Sequence, residues 1–117
     1  MTATKVVKGS VWWVDFPVPK GSEPGYKRPV VIVQCDDFNR SQLPTVVALV
    51  LTSNLKLAKA PGNLVIAARD SGLQSESVAN VSQIATVDRS MLSRRAGRLP
   101  RATMSEIDRG IRLVLGL

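Results

Sequence analysis

The hydrophobic positions of this 117-residue chain fall into many short runs, most of them with strand character. Residues 7–16 (VKGSVWWVDF) alternate, with Val11, Trp13 and Asp15 on one face and Trp12, Val14 and Phe16 on the other. Successive side chains of a strand point to opposite sides, so the two tryptophans part company. One belongs to the core; the other faces a subunit interface or a nucleobase. Pro17 and Pro19 end this strand. Residues 21–29 (GSEPGYKRP) read as a polar loop, and Val30–Val33 is an uninterrupted β-branched run. Such a run predicts a strand over 30–34 that is buried on both faces. Pro29 falls at its first position, where a missing donor is tolerated, and Arg28 sits on the extended backbone before it.

The pattern continues in short pieces. Residues 35–41 (CDDFNRS) place Asp36 and Asp37 at the cap and first turn of a short helical turn. Residues 44–51 (PTVVALVL) form another buried strand, ended by Thr52-Ser53-Asn54, and a loop carrying Lys56 and Lys59 closes at Pro61-Gly62. Short strands are expected at 63–67 and 95–99, with a longer one at 77–87. From about Pro100 the period turns helical through Met104, Ile107, Ile111, Val114 and Leu115. Thr103 and Glu106 have capping-box spacing; alternatively Pro100 opens the helix slightly earlier. Gly110 inside it implies a close approach to another element. Five or more short strands and a C-terminal helix predict one domain, residues 1–117, mainly β, with a bent antiparallel sheet closing into a small barrel.

Composition narrows the function classes. An apolar fraction of 44% and a charged fraction of 21% are those of a soluble globular chain. No run approaches the length of a membrane span, and the N-terminus lacks the apolar stretch of a secretory signal. The single Cys35 excludes an intrachain disulfide and fits a reducing cytoplasm. The absence of histidine removes the commonest general base, Ser-His and Cys-His pairs, and, with one cysteine, a zinc site. Asp36 and Asp37 alone make a poor Mg²⁺ site. The net charge of +7 is uneven: residues 89–101 (RSMLSRRAGRLPR) carry Arg89, Arg94, Arg95, Arg98 and Arg101 without an acid. That favours a polyanionic partner, nucleic acid or acidic protein, over a merely solvated basic face.

Two distant spots suit phosphate chemistry: Glu23…Lys27-Arg28-Pro29 at a loop-to-strand junction, and Thr52-Ser53-Asn54 at a strand end. If the two strands are neighbours, a guanidinium fork and a hydroxyl converge. The competing reading pairs Arg28 with Asp36 or Asp37 and leaves Thr52 bonding its own backbone.

The blocks GSVWWVDF (9–16), GSEPGYKRPVVIV (21–33), FNRS (38–41), PTVVALVLTSNLK (44–56), DSGLQSESVANVSQIATVD (70–88) and EIDRGIRLVLGL (106–117) stand in an order and spacing that resemble the MazF/PemK toxins of bacterial toxin–antitoxin pairs. The resemblance implies a homodimeric SH3-like barrel acting on single-stranded RNA, whether messenger, transfer or ribosomal, as a metal- and cofactor-free endoribonuclease. In that chemistry the ribose 2′-OH attacks the adjacent phosphate, leaving a 2′,3′-cyclic phosphate and a 5′-OH. By position, the family's catalytic arginine and threonine correspond to Arg28 and Thr52, and its acidic loop residue to Glu23. Tyr26, Lys27, Ser53, Asn54, Lys56, Lys59 and Gln83 are the expected RNA-binding residues, with Ser82 beside Gln83 as a further groove candidate. A cognate antitoxin with an acidic tail would cover the basic groove. The C-terminal helix and the Trp12–Trp13 strand are the candidate dimer surfaces.

This chain departs from the family pattern at Pro100-Arg101, where an acidic helix start is common, at Gly110, and in having only two Trp, two Phe and one Tyr for stacking. Two other readings remain: a non-catalytic barrel that binds antitoxin or nucleic acid, and a toxin directed at DNA gyrase. The Arg28–Thr52 pair favours the nuclease, because neither alternative needs an aimed phosphate clamp.

Overall fold

The structure, a computed structural model, describes residues 5–17, 21 and 26–117. The elements are β1 (Ser10–Phe16), β2 (Tyr26–Ile32), α1 (Asp36–Asn39), β3 (Thr45–Thr52), β4 (Leu64–Ile66), α2 (Ala68–Ser71), β5 (Ser77–Asp88), β6 (Leu92–Arg98) and α3 (Arg101–Leu115). Short 3-10 turns occupy Leu55–Lys59 and Arg89–Met91. All strand pairs are antiparallel, in the order β4-β5-β3-β2-β1-β6. The expected small barrel is thus a strongly curled six-stranded sheet. Its open side is bridged by α2, which follows β4 and packs on β6. That bridge depends on glycine. A Cβ on Gly72 would strike the Ala96 carbonyl, and one on Gly97 would meet the Ser71 carbonyl.

Both faces of the central strands are buried, as the β-branched run at 30–33 requires. Val11, Val31, Leu49, Leu51, Ile66, Ala79 and Val81 pack with Leu99, Met104 and Ile107 beneath α3. Trp12, Val14, Val30, Ile32, Val46, Ala48, Val50 and Val87 form a second core on the other face. The β1 alternation holds: Val11 joins the first core, Trp12 and Val14 the second. Trp12 is buried, its indole N–H donating to Ser10 Oγ at 2.9 Å, while Trp13 is only half-buried. Full burial of a Val, Leu or Ile contributes about 1.5–3 kcal/mol, so two apolar layers anchor the sheet firmly.

Several boundaries differ from expectation. β2 begins at Tyr26, so Pro29 lies inside a strand and Arg28 is a strand residue, not the last residue of a loop. Pro29 is tolerated because this part of β2 pairs with β1 alone; the ladder to β3 starts only at Val30. α3 starts at Arg101 with Pro100 as its cap, so Thr103 and Glu106 lie past the first residues and form no capping box. Met104, Ile107 and Gly110 are buried in it, but Val114 and Leu115 are exposed because the last turn runs beyond the sheet. Gly110 does mark a close approach, against Gly62 and Val81. The loop expected to carry Lys56 and Lys59 is a 3-10 turn.

In α1 the cap is Cys35, and Asp36 and Asp37 both belong to the first turn. Asp36 Oδ1 accepts the Lys8 N–H at 2.8 Å and the Asn39 side-chain amide at 3.1 Å. These bonds, the backbone one foremost, hold its carboxyl below the usual range. Asp37 instead pairs with Arg40 at 2.6 Å.

Candidate active site

β2 and β3 are joined only through Val30–Val50, Val31–Leu49 and Ile32–Ala48. Past Val30 each strand keeps its outer neighbour: Arg28 faces Val14 of β1, and Thr52 faces Val78 of β5. The sheet therefore splits at this end. Arg28 and Thr52 each lie two residues beyond the last β2–β3 pair, Val30–Val50, on the two sides of the split. Each of these two strand ends is tied on its far side, Arg28 to β1 and Thr52 to β5.

A cleft of about 700 Å³ opens at the split. Lys27, Arg28 and Pro29 line one side and Leu51 and Ser53 another, with the Gly72–Ser77 segment and Trp13, Arg94 and Arg95 completing the wall. Four cations thus meet in one concavity, where low-dielectric walls focus a positive field. Lys27 lies 3.9 Å from Asp15, but both side chains are largely exposed, so the pairing is weak. Among the described lining residues, Glu76 is the only acid. The Thr52 hydroxyl oxygen accepts the Asn54 N–H at 3.1 Å, which orients it and leaves its own proton to donate.

The expected site residues divide. Arg28, Lys27 and Ser53 line the cleft; Thr52 stands across the split, flanked by the lining residues Leu51 and Ser53. Tyr26 starts β2 opposite Phe16, exposed and with φ of 60°, an unusual left-handed backbone for a bulky residue. Asn54 accepts the Lys56 N–H at 3.2 Å and caps the 3-10 turn bearing Lys56 and Lys59; neither lysine lines the cleft. Gln83 accepts from Asn80 Nδ2 at 3.2 Å within an irregular stretch of β5, where Ser82 Oγ donates to Asn80 Oδ1 at 2.9 Å. Glu23 lies outside the described residues.

The arginine-rich stretch is not one basic face. Arg89 donates to the carbonyls of Leu43 at 2.7 Å and Asn39 at 2.9 Å, clasping the loop before β3. Arg98 and Arg101 line a separate hollow with Lys8, Asp36 and Asp108. Only Arg94 and Arg95 reach the cleft. The alternative pairing of Arg28 with Asp36 or Asp37 finds no support, because those carboxylates are engaged with Lys8, Asn39 and Arg40. Glu76 and Ser77 were missed by sequence reasoning. The only signal for them is the polar run Gln74–Ser77 ahead of a strand. The Ser77 hydroxyl is buried and without a hydrogen-bond partner among the described residues. No group of three His, Cys, Asp or Glu side chains is assembled among the described residues, and no helix among them is long and apolar enough to cross a membrane.

Comparison with known proteins bears on the family and the fold. The sequence profile of the PemK-like, MazF-like toxin of type II toxin–antitoxin systems matches residues 7–115. The chain is 42% identical over 112 residues to "Endoribonuclease MazF6" of Mycobacterium tuberculosis, covering 96% of this chain and 98% of that protein. It is 32% identical to "Endoribonuclease EndoA" of Bacillus subtilis, covering 96% of each. A solved mycobacterial endoribonuclease in complex with its cognate antitoxin superposes with a TM-score of 0.77 at 25% identity, covering 95% of each chain. By profile, relatives and fold alike, this chain belongs to the PemK-like, MazF-like toxin family of type II toxin–antitoxin systems.

Proposed function

We propose that this chain is a metal-independent endoribonuclease toxin that cuts single-stranded RNA at short sequences and is held inactive by a cognate antitoxin. The observation that carries the reading is the cationic cleft at the β2–β3 split, which gathers Lys27, Arg28, Arg94 and Arg95, with Thr52 on the other strand of the split. Relatives named as endoribonucleases over nearly the whole chain support it. The ribose 2′-oxygen loses its proton and forms a bond to the adjacent phosphorus, the bond to the 5′-oxygen breaks, that oxygen takes a proton from water, and a 2′,3′-cyclic phosphate and a 5′-OH result. This route needs neither a protein nucleophile nor a metal, which suits a chain without histidine.

A guanidinium stays protonated near neutrality, so Arg28 is no general base. It stabilises charge growing on the phosphorane oxygens and assists the departing 5′-oxygen. Thr52, oriented by the Asn54 N–H, donates to a non-bridging oxygen. Glu23 accepts the 2′-OH proton. Tyr26, Lys27, Ser53, Asn54, Lys56, Lys59 and Gln83 contact the flanking nucleotides of a messenger, transfer or ribosomal RNA. The protein acts in the cytoplasm as a homodimer. The exposed Leu113, Val114, Leu115 and Leu117 at the end of α3 support a second copy there; of the two tryptophans, Trp12 is committed to its own core.

The test is incubation with a long single-stranded RNA in EDTA, beside Arg28→Ala, with the ends mapped by primer extension and phosphate chemistry. Discrete cuts with cyclic-phosphate and 5′-OH ends, absent with the variant, are expected. Intact RNA with the wild-type protein would turn the assignment to the binding or gyrase-directed alternatives.

A further inference from the structure

We infer that Trp13, Arg94 and Arg95 form a second nucleotide subsite in the cleft, in which the two guanidinium groups hold backbone phosphates next to the scissile one and the indole stacks on the neighbouring base. The inference rests on the nuclease reading for its occupant, single-stranded RNA.

Its basis is an irregularity in β6. Val11 pairs with Gly97, Trp12 with Arg95, Trp13 with Arg94 and Val14 with Leu92, so Ala96 and Ser93 are each an extra residue on β6. In a regular strand the adjacent Arg94 and Arg95 would point to opposite faces. Two bulges flank the pair, while Arg95 and Arg94 themselves stay in step with Trp12 and Trp13, and long side chains bring both arginines to the cleft wall. Bulges recur beside active sites, where they bend and twist the strand that carries the functional side chains. Ser93, the bulged residue, donates its hydroxyl to the Trp13 carbonyl at 3.1 Å and fastens the distortion to β1.

Three further observations point to a ligand. Arg94 and Arg95 are exposed and form no ion pair among the described residues, unlike Lys8, Lys27 and Arg40. Trp13, paired to Arg94 on one side and Pro29 on the other, is half-buried at the cleft wall while its neighbour Trp12 fills the core. The buried Ser77 hydroxyl, without a hydrogen-bond partner among the described residues, lines the same cleft. Cations alternating with an aromatic along a groove are how sequence-tolerant single-strand binding is built: charge tracks the backbone, and the ring takes a base.

The test uses the full chain with Arg94→Gln/Arg95→Gln. Phosphate contacts bind ground and transition states alike, so KM should rise roughly ten-fold with kcat retained. The cut sites should not change, and the salt dependence of KM should become shallower by ~0.7 per lost phosphate contact. Arg94→Lys/Arg95→Lys should keep the salt slope while losing the fork geometry. Binding is read separately by tryptophan fluorescence of Arg28→Ala with an RNA carrying 2′-deoxyribose at the cut. Quenching is expected, and Trp13→Phe should abolish it because Trp12 is buried. Unchanged KM and salt slope in the glutamine variant, a loss confined to kcat, or quenching that survives Trp13→Phe would each overturn the subsite. Absence of cleavage by the wild type would remove the nuclease reading alone, since quenching by RNA still reports the subsite directly.

Discussion

Arg28 and Thr52 differ in what they can supply to a phosphate. The guanidinium offers a planar, permanently charged fork, and the threonine offers one oriented O–H. Arg28→Ala is expected to lower the single-turnover cleavage rate by roughly 10²–10³, the scale of losing an oxyanion donor. Arg28→Lys should recover little, because a point charge cannot grip two oxygens. Thr52→Ser should retain most activity and Thr52→Ala should not; equal activity of the two would remove the hydroxyl from the mechanism. Asp36 acts on stability instead. Its folded pKa is depressed by the Lys8 N–H and the Asn39 amide, so its contribution is complete above the ordinary value of 3.8. It is lost as pH falls through the lower folded value. Asp36→Asn should therefore lower Tm near neutrality and flatten the decline of Tm below about pH 4.

At the scale of elements, the site is made by what strands fail to do. β2 pairs fully with β1 but only in part with β3, and this partial ladder both admits Pro29 and opens the cleft. α3 seats on the sheet through Gly110, where a Cβ would meet the Gly62 carbonyl and the Val81 side chain. Gly110→Ala gains about 1 kcal/mol of helix propensity but overpacks a backbone contact, at a cost of about 1–3 kcal/mol or more. Thermal melting should show a net loss of several degrees; an unchanged or raised Tm would mean that the helix can shift away from Gly62. The residue type announced this contact in the sequence, because glycine inside an apolar-periodic helix has few other uses. The β6 bulges gave no such notice. Their residues, Ser93 and Ala96, are ordinary strand residues, and a bulge is visible only as a change of register against β1.

At the scale of the molecule, the pairing of the last strand, β6, with the first, β1, brings Arg94 and Arg95 to the same cleft as Arg28. The excess positive charge of +7 is thereby partly concentrated and partly consumed in structural contacts such as that of Arg89. The apolar end of α3 faces away from the core. For the proposed homodimer, Leu113→Ser/Leu117→Ser should leave the fold intact and weaken self-association in sedimentation equilibrium. Unaltered association would move the interface elsewhere on the sheet.

The order of short strands, the buried β-branched segments at 30–33 and 45–51, the opposed tryptophans, the C-terminal helix and the likeness of its blocks to the toxin family were all determined by the sequence alone. These features rest on local periodicity and residue chemistry, which the linear chain carries in full. Only the tertiary structure decided that the sheet splits between β2 and β3, that Arg28 lines a cleft there, and that five arginines disperse to three places. It also decided that Glu76 and Ser77 join the cleft. These depend on register, curl and bulges, which arise from pairing between residues far apart in the chain and leave no periodic trace along it.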